Sequence, residues 1–375
     1  MLSSISSSKL RQTASDRPGV AQPVPMRDIP AQPWKRIAAG TLTLWLVMLG
    51  AWEWHWRAFG VTPAVRNSDG LWAMQRRRID SGEGGATVLV GDSRTFFDLQ
   101  LPVWARFDGR RPIQLAFEAT SSLPFLEDLA ADPQFTGRLI VGIAPNVFFT
   151  GLDVHAGALR YYRSESPSQR IGQWLSMHLI EPIFAFDGSD FALATVVERQ
   201  PWPNRPGLPA LPAVRKLNVL EADRNSYLWS KVETDPEYRA LTRAIWLQRL
   251  ASSDDPQSEN TQRRSDQQID RAAKAVATLR GRGVKVLFVR PPSAGPYLNA
   301  ENKVFPRAKT WDALLAATGA PGIHFEDYPE LQGLDLPEWS HLSRADAGRF
   351  TESLHRIVER DFWGIDPAKE AAIYR

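Results

Sequence analysis

The segment Ala86-Thr-Val-Leu-Val-Gly-Asp-Ser-Arg94 decides the fold class of this chain. Its first five residues form a short apolar run of the kind that crosses a buried parallel sheet. Gly91 and Asp92 follow immediately and favour a tight turn. Ser93 is therefore predicted to leave the carboxyl end of a strand, which is where open α/β sheets place their ligands.

Further apolar runs predict that this strand belongs to one parallel sheet. They lie at 113–117, 138–144, 284–289 and 323–325. Amphipathic stretches between and after them predict helices at 71–78, 122–131, 266–280, 311–318 and 344–360. Strands that alternate with helices at this spacing indicate an α/β fold with crossover helices. We expect the strands at 86–90, 138–144 and 284–289 to be adjacent and parallel.

The middle of the chain, about residues 151–260, interrupts this alternation. It contains a proline-rich loop at 201–212 between helical stretches at 171–186 and 237–250. We interpret the middle as a helical insertion in the α/β domain, which would act as a lid or as a substrate platform.

The amino-terminal part differs in composition from the rest. Residues 1–36 are rich in Ser, Pro, Gln and Ala and show no apolar period, which predicts a disordered tail. Six basic and two acidic residues give this tail a net charge of +4, so the remaining chain has a net charge of −1. The basic composition of the whole chain therefore does not favour nucleic-acid binding by the globular part.

An apolar run at 37–56 predicts a single transmembrane anchor. It contains sixteen consecutive uncharged residues, and tryptophans flank both of its ends. Lys35 and Arg36 precede the run and predict a cytoplasmic amino terminus in a bacterial inner membrane. A cleaved signal peptide fits less well, because the preceding tail is long and no A-x-A-like site follows. Residues 57–375 are then expected in the periplasm. The absence of cysteine excludes disulfides and thiolate metal sites.

Ser93 is the candidate nucleophile, and a serine hydroxyl needs a base that is itself oriented by an acceptor. His341 is the candidate base, because it lies in a loop after acidic residues and immediately before a helix. The orienting acid is either Glu338, three residues before the histidine, or Asp335, six residues before it.

The early Gly91-Asp92-Ser93 block and the late Glu338-Trp-Ser-His341 block together resemble the GDSL/SGNH hydrolase family. The resemblance covers about residues 86–150 and 284–360 and implies a three-layer, flavodoxin-like parallel sheet. The family has Asp where this chain has Glu338.

The resemblance also implies an oxyanion hole. Its donors would be the Ser93 N–H, the N–H at Ala119, where the family has Gly, and the side chain of Asn146. The family's G-x-N-D block is replaced here by Gly142-Ile-Ala-Pro-Asn146.

Two arginines stand near the predicted edge of the sheet. Arg94 and Arg290 either bind a carboxylate or phosphate of a substrate or are simply solvated. No His, Asp or Glu spacing indicates a metal site, and neither glycine cluster, at 82–85 or 281–283, has the pattern of a nucleotide loop. We expect no cofactor.

The resemblance implies acyl transfer through an acyl-Ser93 intermediate. Water as acceptor makes the protein an esterase, and a sugar hydroxyl makes it an O-acetyltransferase. The anchor favours similarity to the SGNH proteins of alginate-type O-acetylation. Its partners would be an acylated polysaccharide or acyl donor and a membrane-bound acyltransferase. The alternatives are a non-catalytic envelope polysaccharide assembly protein on the same scaffold and a phosphate-handling α/β domain.

Overall fold

The computed structural model describes residues 31–155, 157–198, 216–251 and 259–364. The predictions for most of the amino-terminal tail and for the proline-rich loop therefore lie outside the described residues. The chain divides into two compact units, residues 1–51 and 52–375. The second unit contains the whole sheet.

Of the first unit the structure describes residues 31–51, and most of these belong to helix α1, Trp34–Ala58. The last seven residues of this helix belong to the second unit. This helix has 25 residues and is long and apolar enough to cross a membrane. It begins three residues before the predicted anchor at 37–56 and ends two residues after it. Leu42, Leu44 and Val47 expose their side chains, as a lipid-facing helix does.

The second unit is built on a five-stranded, wholly parallel sheet, as predicted. Its strands are β1 (Thr87–Val90), β2 (Ile113–Gln114), β3 (Arg138–Gly142), β6 (Lys285–Arg290) and β7 (Gly322–His324). Their spatial order is β2-β1-β3-β6-β7. Counted along the chain this is the doubly wound order 2-1-3-4-5, in which the chain reverses direction across the sheet between β1 and β3. That switch point is where such sheets bind ligands.

Alternate residues of each strand enter two separate cores, which gives the second unit three layers. Val88 and Val90 pack on one face with Trp72, Phe125 and other apolar side chains. Leu89 packs on the opposite face, in the core that contains Trp104 and Phe350. The uninterrupted burial of β1 explains why its sequence is apolar throughout rather than alternating.

Helices cover both faces of the sheet and contribute to the two cores. On the first face lie α2 (Asp69–Arg78), α5 (Leu123–Ala131), α12 (Glu259–Gly281) and α14 (Trp311–Thr318). On the second face lie α4 (Leu101–Asp108) and α15 (Arg344–Val358). The short helices α3 (Ser93–Asp98), α6 (Pro145–Phe148) and α13 (Gly295–Val304) follow the carboxyl ends of β1, β3 and β6. Single π-helical turns, which are wider than α-helical turns, extend α2 to Glu83 and α15 to Trp363.

The insertion between β3 and β6 is not purely helical, which corrects the prediction. It contains α7 (Gly157–Ser164), α8 (Pro167–Leu175), α9 (Leu193–Glu198), α10 (Ser230–Thr234) and α11 (Pro236–Ala251). It also contains an antiparallel hairpin of β4 (Asn218–Leu220) and β5 (Ser226–Leu228). The helical stretch predicted at 171–186 is confirmed through Ile180, because the helical turn Ser176–Ile180 follows α8 without a break. Beyond it only the single turn Ala185–Asp187 is helical.

Two glycines allow α3 to begin directly at the edge of the sheet. A Cβ atom on Gly91 would lie 2.1 Å from Thr95 Oγ1, and one on Gly142 would lie 1.6 Å from the same atom. Both distances are far below van der Waals contact, so only glycine fits at either position. Thr95 is thereby enclosed between the ends of β1 and β3, which fixes the start of the helix that carries Ser93.

Candidate active site

Ser93 is the first residue of α3, at the carboxyl end of β1. The helix is capped by the preceding residue, because the Asp92 side chain accepts a hydrogen bond from Arg94 N–H at 3.2 Å. The hydroxyl of Ser93 is therefore not occupied as the cap of its own helix. Ser93 is partly exposed, whereas Asp92 and Arg94 on either side of it are buried.

A chain of hydrogen bonds joins Ser93 to His341 and Glu338. Ser93 Oγ lies 2.8 Å from His341 Nε2, and His341 Nδ1 lies 2.7 Å from Glu338 Oε1. A carboxylate accepts only, so the imidazole carries its proton on Nδ1 and presents an unprotonated Nε2 to the serine hydroxyl. The backbone N–H of His341 also donates to Glu338 Oε1, at 2.6 Å.

Of the two acids predicted to orient His341, Glu338 occupies the position against Nδ1. Asp335 is exposed, and its backbone N–H donates to the carboxylate of Asp346 at 2.6 Å. The backbone carbonyl of Asp335 accepts from Ser343 N–H. Asp335 thus helps to shape the loop before α15, and the longer Glu338 side chain is accommodated where the resembling family has Asp.

The site is buried behind Ser93. His341 and Glu338 are almost completely inaccessible to solvent. Burial alone would lower the pKa of His341, but the attraction of Glu338 outweighs it and raises that pKa above its usual 6.5. Burial raises the pKa of the nearby Asp98 to about 8. Asp98 accepts from Leu342 N–H at 3.0 Å and so holds the residue after the histidine.

The insertion reaches into this site through Trp246 of α11. Its indole Nε1–H donates to Glu338 Oε2, the carboxylate oxygen that does not contact the histidine. The Trp246 and His341 rings lie 6.2 Å apart between centroids, and Phe97 contacts the same imidazole at 4.6 Å. One helical turn earlier, Arg243 donates to Pro337 O at 2.9 Å. The helix therefore holds both the acid and the loop that bears it.

Arg94 and Arg290, predicted either to bind an anionic group of a substrate or to be solvated, are instead buried on one carboxylate. Arg94 donates two hydrogen bonds to Glu301, at 2.7 and 3.2 Å, and Arg290 donates one at 2.8 Å. Burial would raise the pKa of Glu301, but the two guanidinium groups outweigh it and hold that pKa below its usual value. Arg94 also donates to Ser340 Oγ at 3.3 Å, so the cluster links α3 to the histidine loop.

The two remaining residues of the predicted oxyanion hole flank β1 on either side. The β1–β2 ladder continues to Phe117 N–H, which donates to Gly91 O. Ala119 lies two residues after Phe117, and Ser93 lies two residues after Gly91. Ala119 has φ +48°, a left-handed conformation that favours glycine, the residue that the resembling family has there. Asn146 follows β3, the other neighbour of β1.

Asn146 is held by a phenol rather than pointing freely into solvent. Its Nδ2 lies 2.8 Å from Tyr297 Oη on α13, and burial raises the pKa of Tyr297 to about 12. A carboxamide nitrogen carries two N–H groups, so this contact leaves a second one to donate. Tyr297 in turn lies under Arg94, whose guanidinium carbon is 5.0 Å from the ring centroid.

A polar cavity of about 420 Å³ borders the loop that carries Ala119. Its charged and amide side chains are Arg66, Asn67, Glu118, Asp190, Lys216 and Asn218. Ser93 and His341 do not line it. Packed apolar side chains lie between the cavity and His341. Leu220 of the cavity wall belongs to the same apolar cluster as Phe97, and Phe97 contacts His341.

Among the described residues, Asp108, His355 and Glu359 form a group whose ligand atoms lie within 4.8 Å of one another. His355 contacts Asp108 at 2.9 Å, Trp104 donates to Asp108 at 2.7 Å, and Arg138 donates to Glu359 at 2.8 Å. Contacts within the protein account for these side chains, and we assign them no metal. The expectation of no cofactor stays a prediction.

Four residues of the site carry no signal in the sequence: Asp98, Trp246, Tyr297 and Glu301. Each lies on a helix and has the character of an ordinary core or surface residue. Comparison of the chain with protein-family models and with curated proteins finds no match.

We predict that Glu301→Gln destabilises the protein by about 3–5 kcal/mol, because it leaves two buried guanidinium groups without their carboxylate. Chemical denaturation of the full chain in detergent measures this effect. The matched control is Glu352→Gln on the exposed side of α15, which removes an ion pair with Arg356 and is expected to cost at most about 1 kcal/mol. Equal stability of the two variants would contradict the structural role of Glu301.

Proposed function

We propose that this protein is a membrane-anchored, SGNH-like acyl-ester enzyme that acts on an envelope or exported polysaccharide. The observation that carries the proposal is the hydrogen-bonded series from Ser93 through His341 to Glu338. A serine hydroxyl at neutral pH is a weak nucleophile and needs a base in contact with it. Here His341 is in contact with Ser93, and Glu338 fixes the tautomer of the imidazole. Of these three side chains, only that of Ser93 is partly exposed.

In the first half-reaction, Ser93 Oγ attacks the acyl carbonyl carbon of the donor ester. The hydroxyl proton passes to His341 Nε2, and the carbonyl oxygen takes up the negative charge of the tetrahedral intermediate. The bond to the leaving alkoxide then breaks, and the imidazolium returns its proton to that oxygen. The products are an alcohol and acyl-Ser93. Glu338 stabilises the imidazolium during these steps.

In the second half-reaction, an acceptor hydroxyl occupies the place of the departed alcohol. His341 Nε2 removes its proton, the acceptor oxygen attacks acyl-Ser93, and the serine oxygen leaves and regains a proton. Water as acceptor makes the protein an esterase, and a sugar hydroxyl makes it an O-acetyltransferase. Both outcomes use the same residues in the same roles.

The developing oxyanion needs hydrogen-bond donors at a fixed position. We assign these donors to the Ser93 and Ala119 backbone N–H groups and to the Asn146 side chain. The positive φ of Ala119 supports this assignment, because it retains the backbone conformation of a glycine position although the glycine has been replaced. The contact with Tyr297 orients the Asn146 amide.

Two further observations support a polysaccharide substrate near a membrane. The cavity beside Glu118 is lined by charged and amide groups, which suit a ligand rich in hydroxyl groups. Helix α1 suits a single-pass anchor, which would hold the domain at the periplasmic face of a bacterial inner membrane. An acyl donor would then come from a membrane-bound acyltransferase partner, and the anchor would serve to bring the two together.

We predict that Ser93→Ala and His341→Ala each lower turnover of 4-nitrophenyl acetate by at least about 10³-fold, and that the double variant is little worse than either. The reason is that the two groups act as one unit in the same step. Steady-state kinetics of the full chain measure the effect. Ser168→Ala, an exposed serine at the start of α8, is the control and should retain full activity.

The non-catalytic assembly role makes the opposite prediction for the same assay. It requires that the unaltered chain hydrolyse the ester no faster than Ser93→Ala does. That result, obtained with correctly folded protein, would rule out the acyl-ester enzyme proposed here.

A second prediction concerns the pH dependence of kcat/KM. His341 must be neutral to act as a base, and its pKa is raised, so activity should fall on the acid side with an apparent pKa above 6.5. Trp246→Phe retains an aromatic ring but removes a donor from the Glu338 carboxylate. The carboxylate then attracts the imidazolium more strongly, and the acid limb should move to higher pH. Activity at neutral pH should fall about tenfold, as expected for loss of a hydrogen bond to a charged group.

The control for this experiment is Trp104→Phe. It also removes an indole donor from a carboxylate, that of Asp108, but on α4 rather than at the site. It is expected to lower stability without moving the pH profile. An acid limb that stays in place in Trp246→Phe, or moves to lower pH, would contradict the role assigned to Trp246.

A further inference from the structure

One segment of the insertion exposes an unusual amount of apolar surface. It begins in the second turn of α8 and ends at Ile183, three residues after the helical turn Ser176–Ile180. Six large apolar side chains in it are between 40% and 59% exposed: Ile171, Trp174, Leu175, Leu179, Ile180 and Ile183. We call this set the interfacial surface. Contiguous exposed apolar surface of this kind on a globular domain indicates a binding partner.

The interfacial surface is attached to the end of α1. The Glu53 carboxylate accepts hydrogen bonds from the backbone N–H groups of Ala185 and Phe186, at 3.0 and 3.2 Å. Arg57 donates to the backbone carbonyl of Ile183 at 2.8 Å, and Arg57 and Glu53 form an ion pair at 2.5 Å. All of these residues belong to the second unit. The last residue of the interfacial surface is therefore bound directly to the final turns of the apolar helix.

The charges around the surface also fit a lipid headgroup layer. The acidic residue within 167–183 is Glu181, which is buried and accepts from Ser176 Oγ and Arg66 N–H. The other titratable side chains of this stretch, Arg170 and His178, are exposed. Arg170 donates to the buried Glu165 at 3.0 Å. The exposed side of the segment thus combines apolar and basic or neutral groups, without an exposed carboxylate.

We propose that the interfacial surface lies in the headgroup and upper acyl region of the same bilayer that α1 spans. Three observations point to lipid rather than to another protein. The surface is continuous with the end of a helix of membrane-spanning length, it carries an exposed tryptophan, and it excludes exposed acidic groups. Tryptophan and basic residues around an apolar face are typical of segments that bind in the plane of a membrane. Trp54 on the last turns of α1 is likewise exposed.

The contact of the interfacial surface with lipid gives the domain a second attachment to the membrane, in addition to helix α1. A helix alone leaves a domain free to rotate about the connection. A second point of contact removes that freedom and fixes one side of the insertion at the lipid surface. The inference stands independently of the chemistry proposed for Ser93.

The lack of cysteine in this chain makes the test direct. Leu179→Cys places a label in the interfacial surface, and Ala277→Cys places one on the exposed, polar side of α12, between Lys274 and Thr278. Each full-length variant is labelled with an environment-sensitive thiol fluorophore. It is then reconstituted into phosphatidylcholine–phosphatidylglycerol vesicles, with and without lipid that carries a doxyl quencher at carbon 5 of its acyl chain.

We expect the label at position 179 to emit at shorter wavelength and to lose about half or more of its intensity with the doxyl lipid, since interfacial segments lie about 5–10 Å deep. The label at position 277 should respond only to aqueous iodide. Quenching of position 179 by iodide and not by lipid would overturn the proposal. Protection of position 179 from both quenchers would also overturn it and would indicate a protein on this surface instead.

Discussion

The buried contact between the Glu338 carboxylate and the His341 imidazole is the constraint on which the rest of the site depends. A carboxylate in an apolar environment is stable only if its oxygens are satisfied. Here one oxygen accepts from the imidazole and from the backbone of His341, and the other accepts from Trp246. Because the last donor comes from α11, the insertion between β3 and β6 is part of the site and not only a cover over it.

A second buried cluster, around Glu301, also depends on paired charges. Arg94 directly follows Ser93, and its charge can be buried only because Glu301 on α13 accepts from it. Arg290 at the end of β6 shares that carboxylate. One acid therefore ties the start of α3 to the end of another strand. The position of Ser93 follows from these charges and from the enclosure of Thr95 between two glycines.

The sequence was enough to predict the sheet, because buried parallel strands are apolar runs whose ends are visible. It also identified Ser93 and His341 as candidates, which the structure brings within 2.8 Å. It left Glu338 and Asp335 as alternatives, because the choice depends on which side chain the loop turns inward. Trp246, Glu301 and the β4–β5 hairpin were missed, since contacts between distant segments leave no periodic pattern in the sequence. For the same reason the sequence predicts solvent-accessible positions for Arg94 and Arg290. Their partner Glu301 lies on α13, a helix that the sequence does not predict.

If His341 activates Ser93 as a nucleophile, a serine-reactive phosphonate should trap the Ser93 hydroxyl covalently. The full chain in detergent is treated with a fluorophosphonate, and the modified peptide is located by mass spectrometry. We expect a single adduct on Ser93, whose rate of formation falls as the pH drops through the raised pKa of His341. Folded protein that forms no adduct on Ser93, or forms it at the same rate when His341 is replaced by alanine, would show that His341 does not activate Ser93.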